Sequence, residues 1–237
     1  MNIFPLRNLG NTCWLNSILQ CLINVDRVMP FINSQNSLML SQFKESRAPD
    51  QILSLLQKRF SMGQQHDATE AFLYLIDNIK SERYTSIILE DALLSDWSYN
   101  LFYSQNVFTL TDKTIRHETL SIFPLYGGKK FVDAIEELFI SRQITILAPI
   151  LSFQVVDSKL SSLDNIPDEF QLNFSGVSAV YGFNSCLFHF GTQYGHYVAV
   201  IKYNQLFYVC DDESITQMKN MDLFDHHTPV LLLYTLI

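Results

Sequence analysis

The sequence predicts an α+β fold in which a helical first part is followed by an antiparallel β-sheet. Two observations lead to this prediction. Early in the chain, apolar residues recur with the spacing of one helix face, whereas from residue 144 onward short β-rich runs alternate with turn residues. The 237 residues contain no internal repeat and no low-complexity linker. We therefore expect a single domain over 1–237, helical over about 1–98 and mainly β over about 99–237.

Four helices are predicted from apolar residues that lie three and four positions apart. The first follows Cys13, where apolar side chains recur between positions 15 and 23. The others are expected at about 52–60, at about 68–79 and, after a turn at Gly127 and Gly128, at about 131–139.

Short runs rich in β-branched and aromatic residues predict seven strands in the second part of the chain. They are expected at 144–147, 150–156, 178–183, 186–190, 197–203, 206–210 and 230–236.

Composition and charge exclude some classes of function. The formal net charge is −8, which argues against nucleic acid as the main partner, because phosphate binding requires basic patches. No apolar run is long enough to span a membrane, and the N-terminus lacks the apolar core of a signal peptide. The four cysteines include no CxxC pair. We therefore expect a reduced intracellular protein, cytoplasmic or nuclear, without a zinc site or another cofactor.

Cys13 lies at the start of the first predicted helix, where Asn11 or Thr12 can cap the helix. Free N–H groups and the positive end of the helix dipole stabilise a thiolate at such a position. The alternative is a small buried apolar residue, the usual role of a free cysteine. The remaining cysteines lack this setting and are interpreted as core or strand residues: Cys21, Cys186 and Cys210.

His196 begins a strand of alternating pattern, and Asn204 and Gln205 are expected to form a two-residue turn into the next strand. Cross-strand partners share a face, so this register places Asp211 on the side of His196. A slip of one residue or a bulge would select Asp212 instead.

Glu213 is also on the face of His196 but lies beyond the expected pairing. The alternative interpretation of these three acids is a solvated acidic turn. Other histidines are weaker candidates. We expect His189 to be a structural residue of a strand and His117 to lie at the surface, and no ligand spacing supports a metal site at His226 and His227.

The segment QQHDATE, residues 64–70, opens the third predicted helix. Asp67 as N-cap, with Glu70 three residues later, forms an acidic version of the capping box. The same two acids can also present negative charge to a basic peptide. Both interpretations are compatible, because a capping carboxylate keeps one oxygen free.

A thiol, an imidazole and a carboxylate, in this order along the chain, are the parts of a cysteine hydrolase. The thiol belongs to the helical part and the other two groups to the sheet. A cleft between the two parts is then the expected active site, as in papain-like folds.

The segments around these residues resemble the ubiquitin-specific protease family of deubiquitinases. NLGNTCWLNSILQ at 8–20 is similar to the cysteine box of the family, with Trp14 and Leu15 where Tyr-Met is common. The run LFHFGTQYGHY at 187–197 resembles the histidine box, and FYVCDDE at 207–213 resembles the acidic box. Weaker similarities lie at 64–70, 148–154 and 229–234. The resemblance implies a papain-like cysteine protease with a helical thumb and an antiparallel β palm.

The resemblance also implies roles for single residues. Cys13 is the expected nucleophile, and His196 the base, oriented by Asp211. Asn8, five residues before Cys13, corresponds to the asparagine of the oxyanion hole. Four residues are expected to bind the C-terminal tail of ubiquitin: Gln64, Asp67, Glu70 and Tyr197. Asp67 and Glu70 would face the arginines of the tail, and Tyr197 would line the channel that holds it.

The sequence departs from the family in the fingers, the β-rich insertion that grips the body of ubiquitin. This region is short and lacks the cysteines that bind zinc in many relatives. Residues 106–122 are expected to form one hairpin that turns at Asp112 and Lys113. Ubiquitin or ubiquitinated proteins are the expected partners. The alternatives are a ubiquitin-like modifier that also ends in Gly-Gly, or a ubiquitin-binding module without catalysis.

Overall fold

The computed structural model describes residues 3–26, 28, 49–78, 104–109, 115–126, 130–141, 143–156, 166–174, 177–191, 195–219, 227 and 229–237. These residues form four α-helices, in agreement with the sequence pattern. They are α1 (Cys13–Ile23), α2 (Asp50–Leu56), α3 (Ala68–Asn78) and α4 (Phe131–Ser141).

Helix α2 is shorter than predicted, because the chain leaves the helix after Leu56 and continues through turns to Phe60. Ile79, the predicted end of the third helix, lies outside the described residues, as do the predicted turns at Gly127-Gly128 and Asp112-Lys113. None of the helices among the described residues is long and apolar enough to cross a membrane.

The strands account for most of the second half of the chain and include all those that the sequence predicts. They are β1 (Ser104–Thr109), β2 (Ile115–Leu120), β3 (Phe123–Leu125), β4 (Gln143–Ile146), β5 (Ile150–Val155), β6 (Glu169–Phe174), β7 (Val177–Phe190), β8 (His196–Tyr203), β9 (Leu206–Asp211), β10 (Ser214–Met218) and β11 (Pro229–Leu236).

The large sheet has the strand order β10-β9-β8-β7-β11-β5-β3, with β6 paired to β7. Its neighbouring strands are antiparallel except for β3, which pairs with β5 in parallel. A separate sheet has the order β2-β1-β4. The hairpin of β1 and β2 confirms the predicted hairpin, and this small sheet occupies the region where a reduced fingers insertion was expected.

The predicted division of β7 into two strands is wrong. The polar pair Asn184 and Ser185 looks like a break in the sequence, but Ser185 is buried and pairs with Ile201. On the other side, β11 pairs Leu233 with Ser185 and Tyr234 with Phe183, so the register shifts at Asn184. The extra residue is thus a β-bulge inside one long strand.

Two apolar clusters cover the two faces of the large sheet. Helices α1, α2 and α3 pack on one face, where alternate residues of β11 such as Leu231 and Leu233 point. Helix α4 and the aromatic side chains of the strands pack on the other face, together with Leu232 and Tyr234. This alternation follows from the period of two residues in a strand.

Helix α1 lies at the centre of the first cluster. All eleven of its residues are buried, although its sequence predicts a single apolar face. Two of its polar side chains donate hydrogen bonds, Ser17 to the Cys13 carbonyl oxygen and Gln20 to the Phe4 carbonyl oxygen. Three buried polar atoms of the helix have no partner among the described residues: Trp14 Nε1, Asn16 Oδ1 and Gln20 Oε1. The thiol at its N-terminus therefore sits on a rigid, fully packed element.

Candidate active site

Cys13 is the first residue of α1, and only 2% of its surface is exposed. The chain reaches it through a turn in which Gly10 and Asn11 have φ values of 94° and 56°. A left-handed conformation at two successive residues folds the preceding segment back, so that Asn8 lies beside the start of the helix.

The predicted helix cap is wrong in detail. Thr12 occupies the N-cap position, but its side chain makes no capping hydrogen bond. Its hydroxyl instead accepts a hydrogen bond from the Leu9 N–H at 2.9 Å. The Asn11 side chain donates to the Gly63 carbonyl oxygen at 2.8 Å, across to the segment that precedes α3. Neither Asn11 nor Thr12 therefore accepts a side-chain hydrogen bond from the N–H groups in the first turn of α1.

His196 and Asp211 form a bonded pair on the β8–β9 hairpin. The Nε2 atom of His196 lies 2.5 Å from Oδ1 of Asp211. Asn204 and Gln205 have φ values of 49° and 62°, as a two-residue hairpin turn requires, and Tyr203 pairs with Leu206. The predicted register is confirmed, and Asp211 is the acid that contacts His196. Because Nε2 is occupied, Nδ1 is the ring nitrogen that remains for a proton from the thiol.

Asp212 is not the hydrogen-bond partner of His196, but it makes contacts within the site that the sequence does not reveal. It lies in the tight turn to β10 with φ of 48°. One carboxylate oxygen accepts a hydrogen bond from Nδ2 of Asn8 at 2.7 Å, and the other accepts one from Nδ2 of Asn16 at 2.7 Å. Its carbonyl oxygen accepts from the Leu6 N–H at 2.9 Å. Asp212 thus links the acidic turn to α1 and to the segment that precedes this helix.

Asn8 is held at both ends of its side chain. Its Oδ1 atom accepts hydrogen bonds from the backbone N–H groups of Gly10 at 3.0 Å and Thr12 at 3.2 Å. Its Nδ2 atom donates one proton to Asp212, and an amide nitrogen has a second proton to donate. This orientation leaves Asn8 with one N–H group that can serve an oxyanion near Cys13.

Gln65, which is not among the predicted site residues, contacts the thiol, whereas its neighbour Gln64 was expected to bind the tail of ubiquitin. Nε2 of Gln65 lies 3.4 Å from Sγ of Cys13 and donates to the Gly195 carbonyl oxygen at 2.7 Å. One amide nitrogen therefore links the thiol to the residue that precedes His196. The Gln-Gln pair is visible in the sequence, but only the fold shows which of the two faces the thiol.

A cleft of about 880 Å³ leads along this region. Gln64, Asp67 and Tyr197 contribute to its walls, in agreement with their predicted place in the site. His189 also lines it, although its strand pattern suggests a structural residue, and its ring packs on Tyr197 at 4.5 Å. The full lining consists of Asn11, Gly63, Gln64, Gln65, His66, Asp67, His189, Gly195, Tyr197 and Val230.

Burial raises the pKa of Tyr197 to about 12, with a further increase from the nearby charge of Asp67. A hydrogen bond with the backbone of Ala68 acts in the opposite direction, and the thiol of Cys13 adds to the increase. Tyr197 is therefore a neutral hydroxyl at physiological pH, and it lies between the start of α3 and the thiol. It can line a channel but cannot serve as a base.

The two acids of the QQHDATE segment have different environments. Asp67 caps α3, because its Oδ1 atom accepts a hydrogen bond from the Glu70 N–H at 2.8 Å. Its carboxylate also lines the cleft. Glu70 is half exposed, forms an ion pair with Arg59 at 2.6 Å and is absent from the cleft lining. The structure therefore brings Asp67, but not Glu70, to the rest of the site.

One group of described residues has the composition of a metal site. Ligand atoms of His196, Asp211 and Asp212 all lie within 4.8 Å of one another. Each of these side chains already has hydrogen-bond partners: His196 and Asp211 bond to each other, and Asp212 bonds to two asparagines. The proximity of these groups is accounted for by the protein's own hydrogen bonds.

Comparisons with known proteins agree with this fold. Ubiquitin carboxyl-terminal hydrolase Usp2 of Drosophila melanogaster is 22% identical over 142 residues, which is 60% of this chain and 15% of that protein. The chain thus spans a small part of that relative. The SAGA deubiquitinating module Ubp8/Sgf11/Sus1/Sgf73 bound to monoubiquitin superimposes with a TM-score of 0.79 at 17% identity, covering 100% of this chain and 69% of that chain.

The same module bound to ubiquitin aldehyde gives a TM-score of 0.75 at 16% identity, covering 100% of this chain and 70% of that chain. At such identities, the superpositions show a shared fold. The family model for ubiquitin carboxyl-terminal hydrolases matches residues 4–234, almost the whole chain. The fold, the motifs and this match lead to one conclusion: the chain belongs to the ubiquitin carboxyl-terminal hydrolase family, in its ubiquitin-specific protease branch.

Proposed function

We propose that this protein is a thiol-dependent deubiquitinase that hydrolyses the peptide or isopeptide bond after the C-terminal Gly-Gly of ubiquitin. The observation that carries the proposal is a set of contacts around the start of α1. Gln65 joins Cys13 to Gly195, the residue before His196. His196 bonds to Asp211, and Asp212 holds Asn8. The thiol lies beside the start of β8, because Gln65 contacts both Sγ of Cys13 and the carbonyl oxygen of Gly195. These contacts support the assignment of one residue to each part of a cysteine hydrolase.

The proposed reaction has two steps. The Cys13 thiolate attacks the carbonyl carbon of the last glycine, and the oxyanion that forms accepts hydrogen bonds from the backbone N–H of Cys13 and from the free N–H of Asn8. The C–N bond then breaks, and the leaving amine takes the proton held by His196. In the second step, His196 deprotonates a water molecule, which attacks the thioester carbonyl. The C–S bond then breaks, Cys13 leaves as the thiolate beside the protonated His196, and the released glycine carboxylic acid loses its proton to solvent.

The burial of the thiol and the charge of the cleft support this substrate class. The thiol is 2% exposed, so a segment without side chains, such as Gly-Gly, is the kind that reaches it. Asp67 places a carboxylate on the cleft wall, where it can bind an arginine of the ubiquitin tail. Tyr197 and Gln64 line the same path, and we propose that they contact the tail.

The proposal extends to location. All four cysteines are free, and catalysis would depend on one of them staying reduced. We therefore propose that the protein acts in a reducing compartment, in the cytoplasm or the nucleus.

Turnover on a panel of modifiers tests the proposed substrate. The full chain would be incubated with ubiquitin whose C-terminal glycine is joined to a fluorogenic amine, and with ubiquitin-like modifiers that also end in Gly-Gly. We expect the fastest release from ubiquitin. Release from another modifier alone would retain the chemistry but refute the substrate. Binding of ubiquitin without any release would indicate a binding module.

Asn8 and the Asp212 carboxylate that holds it are expected to stabilise the same transition state, so removal of either should slow the same step. We expect Asn8→Ala to lower kcat by about 100- to 1000-fold, with little change in KM, because the oxyanion exists mainly in the transition state. Asp212→Ala should have a similar effect, since Asn8 then loses the partner that orients it. The double variant should be no worse than the more impaired single variant. Steady-state kinetics of the three variants would measure these effects.

Glu213→Ala is the matched control, because Glu213 is the exposed neighbour of Asp212 in the same turn. Thermal unfolding of each variant would separate a loss of folded protein from a loss of catalysis, since Asp212 also binds the buried Asn16. Additive losses in the double variant would contradict the proposed coupling of Asn8 and Asp212.

A further inference from the structure

The side chain of Gln65 occupies an unusual position for a residue outside the expected catalytic set. It is partly buried between α1 and the start of β8, and its amide group contacts the nucleophile. Nε2 lies 3.4 Å from Sγ of Cys13, whereas Oε1 lies 3.8 Å from the same sulfur. The donor end of the amide is therefore the end nearer to the thiol.

An amide in this position suits both protonation states of the sulfur. A thiol can donate its proton weakly to Oε1, and a thiolate can accept a proton from Nε2. A hydrogen bond to a charged acceptor is stronger than one to a neutral acceptor. The contact with Gln65 therefore favours the thiolate over the thiol, which is the form that attacks a carbonyl.

The second contact of Nε2 fixes the position of the amide. It donates to the carbonyl oxygen of Gly195 at 2.7 Å, and the backbone at Gly195 is tightly enclosed. A Cβ atom at this residue would collide with the ring of His189 and lie 2.6 Å from the carbonyl oxygen of Phe190. Gln65 is thus attached to a rigid segment that leads directly into His196.

We propose that Gln65 is a further catalytic residue, whose side-chain N–H stabilises the Cys13 thiolate and links it to the strand that carries His196. This inference rests on the proposed function, because it assigns a role within the same thiol chemistry. The established parts of such a site supply a base and an oxyanion hole. Gln65 supplies a donor to the nucleophile itself.

Titratable groups face the thiol region from three other elements. Asp67 precedes α3, Tyr197 and His196 lie on β8, and His189 lies on β7. The first turn of α1 carries no acidic residue. Variants of Gln65 leave all of these groups unchanged, so a shift in the pH dependence of the thiol reports on the amide.

The test is alkylation of Cys13 by iodoacetamide across a pH series, followed by mass spectrometry of the peptide that contains Cys13. The other cysteines are fully packed, and burial raises the pKa of Cys210 to about 12 and that of Cys186 well above its usual range. The variants are Gln65→Ala, which removes the donor, and Gln65→Glu, which keeps the length but replaces the donor with a carboxylate. Gln57→Glu, at an exposed glutamine after α2, is the charge-matched control.

We expect the pH midpoint of alkylation to rise by about one unit in Gln65→Ala, equivalent to about tenfold less thiolate at a given pH. The rise should be larger in Gln65→Glu and absent in Gln57→Glu. Unchanged midpoints in both Gln65 variants would overturn the proposal. A rise in Gln65→Glu alone would overturn it too, because it would reflect the introduced charge. A lower midpoint in Gln65→Ala would show that the amide restrains the thiol instead of activating it.

Kinetics provide the second readout. With a ubiquitin substrate, both Gln65 variants should lower kcat by about tenfold or more while KM stays within about twofold, as expected for an interaction with the reacting atom. A rise in KM alone would instead make Gln65 a residue that binds the tail, which overturns the proposal. The alkylation arm needs no ubiquitin. If wild-type protein cleaves no ubiquitin substrate but the midpoints shift as expected, the proposed function fails while the role of Gln65 stands.

Discussion

Cys13→Ala is expected to abolish turnover of ubiquitin conjugates, a loss of about a millionfold in kcat of the kind seen when a nucleophile is removed from a hydrolase. Alanine retains the Cβ atom and fits the buried site at the start of α1, so the fold and the cleft should be preserved. The lining residues do not change, and we expect ubiquitin binding to persist. Steady-state kinetics and a direct binding measurement, such as calorimetry, would report the two properties separately.

Cys21→Ala is the matched control for this variant. Cys21 lies on the same helix, is fully buried and is remote from the cleft lining, and burial raises the pKa of its thiol far above the usual range. Its substitution should reduce the free energy of unfolding by about 1 kcal/mol through the cavity that it leaves, without a comparable loss of kcat. Residual turnover in Cys13→Ala near the wild-type rate would exclude Cys13 as the nucleophile.

Asp211→Asn is expected to lower kcat by about 10³-fold, somewhat less than the roughly 10⁴-fold loss for a fully buried acid of a catalytic triad. An asparagine retains the size of the side chain but not its charge, so the imidazolium formed during the reaction loses its partner. The effect should be reduced by solvent, because His196 is 41% and Asp211 49% exposed. Rates under single-turnover conditions would show the loss in the acylation step.

Asp168→Asn serves as the control for Asp211→Asn. Asp168 is 65% exposed and forms an ion pair at 3.0 Å with Lys202. Lys202 lies on the same strand as His196. Asp168→Asn makes the same substitution at another acid that contacts β8, and we expect it to have little effect on kcat. If Asp211→Asn were as active as Asp168→Asn, the orienting role of Asp211 would have to be abandoned.

The sequence predicts the part of the site that depends on local pattern. The two-residue turn at Asn204 and Gln205 fixes the register of one hairpin, and this register alone separates Asp211 from Asp212. The position of Cys13 at a helix start likewise follows from the periodicity of its own segment. In both cases a few neighbouring residues determine the geometry.

Contacts between distant segments could not be predicted in this way. The bonds from Asp212 to Asn8 and Asn16 join residues that are 204 and 196 positions apart, and the link between Gln65 and Gly195 spans 130 positions. No local pattern encodes these pairings, because they arise only when α1 is buried against the large sheet. The ion pair of Glu70 with Arg59 joins residues only 11 positions apart, but it connects the turns after α2 to α3, so the helix pattern does not encode it either.

Parts of the fold were missed for the same reason. Strand β3 has only three residues and pairs in parallel with β5, and such a short segment carries little periodic signal. The bulge at Asn184 appears in the sequence as a polar interruption. Strand β11 pairs with residues on both sides of Asn184, so the strand continues through it. Whether these segments form strands therefore depends on their pairing with distant strands in the folded protein.

The most direct test of the account is covalent capture by ubiquitin that carries an electrophile at its C-terminus, with the modified residue located by peptide mass spectrometry. Wild-type protein would be compared with Cys13→Ala and Cys21→Ala. The account predicts one ubiquitin adduct, located on Cys13, that is lost in Cys13→Ala and retained in Cys21→Ala. An adduct on a different cysteine, or no adduct from folded wild-type protein, would contradict it.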